Sequence, residues 1–538
     1  MITVLETSDL HANLLPWDYA RGVEGAWGLA RVATRVRQIR EESPHVLLLD
    51  GGDTIQGAPG GWLEARRPSG GPHFMAAAMG ALAYDAMAVG NHEFNFGLEV
   101  LRRAQKDSSF PWLSANTRNA SDGSAAFPEF LVKELGGVRV GVLGLTTPNV
   151  PGWEPEPNRP GLKWEDPVET AKRLVPLLRG EKGCDVVVVL FHSGLESDPV
   201  TGEPNGTAHE NRVVALAREV PGIDLILTGH THRKLSMTRV HGVPVMQPGR
   251  WGEVLARVDF VVERRGGKAT VVETRGALLP SDASVAVDPQ IAAIAKGPHE
   301  RALSYLNEPL AIATGPFPGG RARLEDTALL DLVNDTQLSA TGADLSLTSL
   351  LPFRFEGWEA GPVTGRQVYA LYPYENQLVV VEIDGARLRG VLEKAASFYD
   401  RAEWRDGRLV VTPLPGMTPY NFDVLQGASY RVDPTAAVGH RVKELRFKGR
   451  DVADGDRFSL AVNSYRAQGA GGYTALVGAK VLRTYNDEVR ELLVERLRKA
   501  GTIQPATDRN WIVAPDTTWA PLPPSGPAPV PAVPAASR

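Results

Sequence analysis

The sequence predicts an α/β protein of two domains, and three observations carry that prediction. The chain has 538 residues, more than a single hydrophobic core organises. Its first half alternates short apolar runs of strand length with helical stretches, the pattern of a sheet covered by helices on both faces. Near residue 240 the helices stop. VPVMQPG, VLARVDFVVE and ATVVETRGAL then read as mainly antiparallel strands closing the first domain.

In order, ITVLE is a strand, GLARVATRVRQIREE an amphipathic helix and HVLLLD a buried strand. FMAAAMGALAY is helical, AMAV a short strand and GLEVLRRAQ a helix. PWLSAN and VRVGVLGLT follow as strands. PVETAKRLVPLLR is helical, DVVVVLF a strand, HENRVVALAREV a helix and DLILTG a strand. DPQIAAIAKGPHERALSYLN reads as a connecting helix, and a second α/β region carries helices near 326–340 and 384–399. The boundaries are therefore 1–285 for the first domain, 286–307 for the connecting helix and 308–514 for the second domain. Residues 515–538 hold eight prolines and no apolar periodicity, the composition of an extended, disordered tail.

Composition bounds the chemistry. Hydrophobic residues at 43% and charged residues at 22% are ordinary for a soluble globular protein. A net charge of −5 argues against a surface for polymeric nucleic acid. A small anionic substrate is still compatible, because bound cations reverse the local field. Cys184 is the single cysteine, so no internal disulfide forms, and its place before VVVVLF makes it a buried apolar residue. No apolar run reaches the length of a bilayer span. MITVLETSDLH has neither a basic start nor a long apolar stretch, which reads as a cytoplasmic protein or as a processed or truncated form.

The strand ends carry the chemistry. Asp9 and His11 lie in TSDLHAN, Asp53 in LLLDGGDTIQG, Asn91 and His92 in VGNHEFN, His192 in VVLFHSG, and His230 and His232 in ILTGHTHR. One polar residue past a strand is ordinary. Five successive segments delivering Asp, Asn or His are not, because the carboxyl ends of strands in an open α/β sheet meet in one crevice. Imidazole, carboxylate and amide donors suit borderline divalent ions such as Zn²⁺, Mn²⁺ or Fe²⁺ better than an all-oxygen Ca²⁺ cage. They suffice for two ions if one carboxylate bridges, and Asp53, in a glycine-rich turn that lets backbones approach closely, is the natural bridge.

DLH, GGDTIQG, GNHE, FHSG and GHTH, in this order, resemble the signature of the calcineurin-like metallophosphoesterases. The second half resembles the C-terminal domain of 5′-nucleotidases. DLHANLLPWDYARG, DTIQGAPGGWL, GNHEFNFGLEVL, YNFDV and NSYRAQGAGGY most resemble the bacterial bifunctional 2′,3′-cyclic-nucleotide 2′-phosphodiesterase/3′-nucleotidases. The resemblance implies an N-terminal β-sandwich flanked by helices, an α/β/β/α arrangement. It implies one ion on Asp9, His11, Asp53 and His232, and a second on Asp53, Asn91, His192 and His230, the ions being Zn, Mn, Fe or Co. It places His92 on the phosphoryl oxygens or the leaving group, and has Tyr420 and Tyr465 sandwich the nucleobase, with Phe422 an alternative to Tyr420. It also implies a cleft closed by relative domain movement, and export to the periplasm or cell surface.

Two departures matter. The 5′-nucleotidase and UDP-sugar hydrolase branch has an aspartate three residues after the histidine, where this chain has Asn95. An amide orients an imidazole without stabilising its cation by charge, and the cyclic phosphodiesterase branch resembles this sequence there. Asn95 as a cap of the GLEVL helix is the plain alternative. TSLLPFRFEG stands where many 5′-nucleotidases have a glycine-rich segment ending in arginine, so Arg354 is not assigned. The expected substrates are 2′,3′-cyclic nucleotides and 3′-nucleotides, with 5′-nucleotides the first alternative. A non-catalytic nucleotide-binding or surface-interaction protein is the second alternative.

Overall fold

The computed structural model describes residues 1–513 apart from 200, 205–206, 266–267, 353–354 and 375, together with the backbone of 518–519. Arg354 and the tail lie outside the described residues, the backbone of 518–519 aside. The chain divides into two compact units, Met1–Glu308 and Pro309–Arg538.

The first unit is built on two six-stranded sheets. One runs in the order Lys268–Pro280, Val254–Arg265, Ile2–Thr7, Val46–Asp50, Ala86–Ala88, Trp112–Leu113. Its four strands from Ile2–Thr7 onward are mutually parallel, and Val254–Arg265 pairs antiparallel on both sides. The other runs Lys234–Val240, Val243–Pro248, Leu225–Thr228, Val186–His192, Val138–Thr146, Phe130–Leu135, parallel in the middle and antiparallel at both edges.

Alternation along the strands explains how the sheets stack. Successive side chains point to opposite faces. Ile2, Val4, Leu47, Leu49, Val186, Val188 and Leu190 join one cluster between the sheets. Leu5 and Leu48 turn the other way, onto the helices Leu29–Glu42 and Phe74–Ala81. Val187, Val189 and Phe191 turn onto the helices Pro167–Arg179 and Val213–Glu219. Strands with both faces apolar must be covered on both sides, and the result is the α/β/β/α arrangement. Each fully buried Leu, Val or Phe contributes about 1.5–3 kcal/mol.

The helix Pro289–Asn307 belongs to the first unit. Asp288 caps it, accepting from the N–H groups of Gln290 and Ile291. Ile291 and Ala295 join the core under the first sheet, and Tyr305 stacks on Trp62 at 5.2 Å.

In the second unit a five-stranded sheet runs Asp423–Gln426, Leu345–Ser349, Arg457–Asn463, Gln377–Asp384, Lys480–Glu488. The helices Ala328–Thr341, Gly385–Ala396 and Val489–Ala500 bury their apolar residues in the same core as these strands.

Candidate dimetal active site

The loops after five parallel strands meet at the carboxyl end of the sandwich. Asp9 follows Ile2–Thr7, Asp53 follows Val46–Asp50, and Asn91 follows Ala86–Ala88. The second sheet supplies His192, the last residue of its strand, and His230 and His232 after Leu225–Thr228. Two groups form. Ligand atoms of Asp9, His11 and His232 lie within 4.8 Å of one another, as do those of Asp53, His192 and His230. Asn91 joins the second group, its Oδ1 3.1 Å from His192 Nε2. The charge of Asp53 acts on both His11 and His192, so its carboxylate stands near both groups.

The backbone is bent to aim these donors. Asp9, His11, Asp53, His230 and His232 all have φ between 47° and 70°, the left-handed region that non-glycine residues seldom occupy. Such strain persists only where the surroundings over-determine it. The surroundings do so here. Asp9 accepts from Ser8 Oγ at 2.6 Å and from the His230 N–H at 3.1 Å. The His11 N–H donates to the Asp53 carbonyl at 2.9 Å. Glycines 52 and 90 allow the close approach of the loops. A Cβ on Gly90 would stand 2.2 Å from Asp53 Oδ1, and one on Gly52 would stand 2.9 Å from His192 Nδ1.

Glu93, fully buried, ties the loops together. Its carboxylate accepts from the backbone N–H groups of Gly90, Asp53, Thr54 and Ile55 at 2.6–3.3 Å. Sequence reasoning passed over it, although the E of GNHE was the available signal. Gln56, whose carbonyl and side-chain oxygens both stand 3.1 Å from His11 Nδ1, was also missed.

Three features fit divalent ions. His11 Nε2 and His232 Nε2 face each other at 3.0 Å, a pairing that suits two ring nitrogens converging on one cation. Asp53 Oδ2 is buried, and among the described residues it accepts no well-aligned hydrogen bond, with His192 Nε2 3.1 Å away. The donors are imidazole nitrogens, carboxylate oxygens and one amide oxygen, the set borderline ions prefer. Electrostatics agree at His11 and Asp53. Burial lowers His11 to about 4, which keeps it in the neutral form that a ligand needs. Burial also opposes the ionisation of Asp53, but His192 and His92 override it and hold that carboxyl well below its usual range. Burial opposes the cation of His192 too, but there Asp53 prevails and raises the imidazole to about 10, so an ion taken up there would displace a proton.

His92 is in neither donor group, although its ring lies edge-on to that of His11 at 5.3 Å. It begins the short 3₁₀ turn His92–Phe94, and its N–H donates to Asp53 Oδ1 at 2.8 Å. Its Nδ1 lies 2.6 Å from Asn95 Oδ1. Asn95 does not cap the following helix, Leu98–Asp107. The cap is Gly97, which offers no side chain, and the Asn95 amide goes to His92 and to Glu154. Trp153, beside Glu154, sets its ring 5.2 Å from that of His230.

In the second unit Tyr420, in the 3₁₀ turn Pro419–Asn421, and Tyr465, in the short helix Ser464–Ala467, are half-buried, and one arginine joins the two segments. Arg466 donates to Asp423 Oδ2 at 2.9 Å and to the Tyr420 carbonyl at 2.5 Å, and its guanidinium lies 5.5 Å from the Tyr465 ring. Phe422, the alternative to Tyr420, is excluded as a stacking surface. It is 2% exposed and packs against Phe398, Tyr399 and Trp511.

Known proteins share this organisation. Residues 2–234 match the model of the calcineurin-like phosphoesterase family, and residues 310–478 that of the 5′-nucleotidase C-terminal domain. The trifunctional nucleotide phosphoesterase protein YfkN of Bacillus subtilis is 28% identical over 96% of this chain. The chain spans only 39% of that longer relative. The 2′,3′-cyclic-nucleotide 2′-phosphodiesterase/3′-nucleotidase of Salmonella typhimurium is 29% identical, over 96% of this chain and 89% of the relative. A Staphylococcus aureus structure solved under the name of a 5′-nucleotidase aligns with a TM-score of 0.83 at 26% identity, over 95% of this chain and 99% of that one. With its two donor groups at the mouth of the sandwich and both family models matched in order, the chain carries a calcineurin-like phosphoesterase domain followed by a 5′-nucleotidase C-terminal domain, and it is a metal-dependent phosphoester hydrolase.

Proposed function

We propose that the protein hydrolyses nucleotide phosphoesters, acting as a 2′,3′-cyclic-nucleotide 2′-phosphodiesterase with 3′-nucleotidase activity. The observation that carries this reading is the pairing of His92 with the amide of Asn95 rather than with a carboxylate. The naming of the Salmonella typhimurium relative supports it.

Asp9, His11, Asp53 and His232 would hold one divalent ion, and Asp53, Asn91, His192 and His230 the other. When bound, the ions supply Lewis-acid stabilisation of the phosphoryl group and a water acidic enough to attack at neutral pH. The protein's own groups do the rest. Asp53 fixes the spacing of the two donor sets. Glu93 holds the Asp53 loop against the Asn91 loop, so the donors need no rearrangement when charge develops. His92, positioned at Nδ1, contacts the phosphoryl oxygens or protonates the departing ribose oxygen. Tyr420 and Tyr465 stack on the nucleobase, a contact that tolerates any base.

The whole-chain alignment with the Staphylococcus aureus structure favours a second reading, 5′-nucleotidase activity. Initial rates on 2′,3′-cyclic AMP, 3′-AMP, 5′-AMP and UDP-glucose with added Mn²⁺ decide between them. Higher kcat/KM on the first two is expected, and preference for 5′-AMP or UDP-glucose would overturn the first reading. The reading includes export. No helix among the described residues is long and apolar enough to cross a membrane. Recovery of the native protein in the cytosolic fraction alone would count against export.

A further inference from the structure

An asparagine amide has an accepting end and a donating end. Which end meets His92 is set by what stands behind Asn95. Asn95 Nδ2 donates to Glu154 Oε1. Asn158 Nδ2 donates to Glu154 Oε2 at 3.0 Å and to the Asn95 carbonyl at 3.1 Å. Glu154 is 6% exposed and directly follows the short helix Val150–Trp153, and its own carbonyl accepts from Arg159 Nε at 2.9 Å. Both carboxylate oxygens thus accept from amide N–H groups, and a carboxylate can do nothing else. The amide of Asn95 is pinned with Nδ2 toward Glu154 and Oδ1 toward His92. An oxygen acceptor 2.6 Å from Nδ1 keeps the ring proton on that nitrogen and directs the chemistry of the ring through Nε2.

We propose that Glu154 is a positioning residue for hydrolysis: through Asn95 it fixes the tautomer and the ring orientation of His92, as an aspartate paired directly with the histidine would. The proposal rests on the role given to His92 above. It accounts for a buried carboxylate that no cation balances by a close ion pair among the described residues. It also gives the segment PNVPGWEPEPN a function that its sequence did not disclose. Burial pushes the Glu154 carboxyl above its usual range, and the amides of Asn158 and Asn95, with the charge of His92, act against that push.

The test uses p-nitrophenyl phosphate with Mn²⁺, so no nucleobase enters. Glutamine at position 154 both donates and accepts, so the Asn95 amide is free to reverse. Glu154→Gln should lower kcat about tenfold with KM within about twofold and metal content unchanged, in the range typical of residues that orient a site histidine. Asn95→Asp alone sets two carboxylates against each other and should also lose activity. Adding Glu154→Gln to Asn95→Asp should restore activity above that of the Asn95→Asp single variant, because the glutamine amide can donate to the carboxylate at position 95. The same substitution therefore harms the wild type and helps the Asn95→Asp protein, a reversal that a purely structural role would not produce. Loss by the same factor in both backgrounds, or no loss in the wild type, would overturn the proposal. A His92→Ala variant with undiminished kcat would sink the role of His92 and the proposal with it. That outcome is distinct from a failed reversal in an enzyme that needs His92.

Discussion

Asp53 is the residue whose loss has the widest expected reach. It is fully buried, takes the His92 N–H on one oxygen and stands beside His192 with the other. Asp53→Ala should remove metal from both donor groups and lower kcat for every substrate by at least about 1,000-fold, in the range seen when a main electrostatic stabiliser is removed. Metal analysis after gel filtration checks this, and two tightly held ions in an active variant would refute the bridge. A second residue makes a pH prediction. Asp331 is 5% exposed and its carboxyl is raised to about 8, first by burial, then by the charges of Asp326 and Asp508. Unfolded, it titrates near about 4. Between about 4 and about 8 the folded protein keeps a proton that the unfolded chain has lost, so stability falls as pH rises through that window. In chelator, Asp331→Asn should raise Tm by roughly 2–4 °C at pH 8.5 and change it little near pH 4. Parallel Tm curves for the two proteins would contradict this. At this scale the residues that the structure gathers into the two groups were legible in the sequence, because their types repeat at strand ends. It did not disclose Glu93 or Glu154, whose partners are backbone and amide groups that assemble only when distant loops fold together.

Elements explain where the reading of the chain shortened or lengthened. HENRVVALAREV reads as one helix, but only Val213–Glu219 is helical. Asn211 is withdrawn from it because its Oδ1 takes the N–H of Gly194, just behind His192, at 2.6 Å. PWLSAN likewise shrinks to Trp112–Leu113, because Ser114 and Asn116 bond instead to Thr146 of the opposite sheet. Both losses serve the loops that carry the site. The turn between Ala86–Ala88 and Leu98–Asp107 has no space for a side chain at its start. Gly90→Ala should push Asp53 aside and weaken metal binding about 10- to 100-fold, measured by competition with a chelator. Unchanged affinity would mean that the two loops shift together. In the second unit, stacking on a base is the same before and during phosphoryl transfer. Tyr420→Ala and Tyr465→Ala should therefore raise KM for 3′-AMP by about 5- to 150-fold, with a smaller change in kcat. p-Nitrophenyl phosphate should hardly notice either change. Equal losses of kcat on both substrates would make these tyrosines structural.

For the whole molecule, the fold class and the order of its elements were legible because both faces of each central strand are apolar, which admits few arrangements. The end of the first unit was less so. The helix Pro289–Asn307 reads as a connector, yet Ile291, Ala295 and Tyr305 anchor it to the first unit. A chain of residues 1–308 should thus retain folding and hydrolysis of p-nitrophenyl phosphate, and a chain stopped at 285 should aggregate or bind no metal. Circular dichroism and metal analysis of the two would show whether the helix is needed. The left-handed backbone at Asp9, His11, Asp53, His230 and His232 has a consequence for anyone who would rebuild this centre around another ion. Five of its seven donor positions accept few residue types on conformational grounds alone, Asn, Asp, His and Gly being the most tolerant. A cysteine or glutamate introduced as a better donor would have to be held there against its own backbone preference. The metal chemistry open to this scaffold is therefore narrower than the types of its donors suggest, and engineering it means redesigning the turns before the ligands.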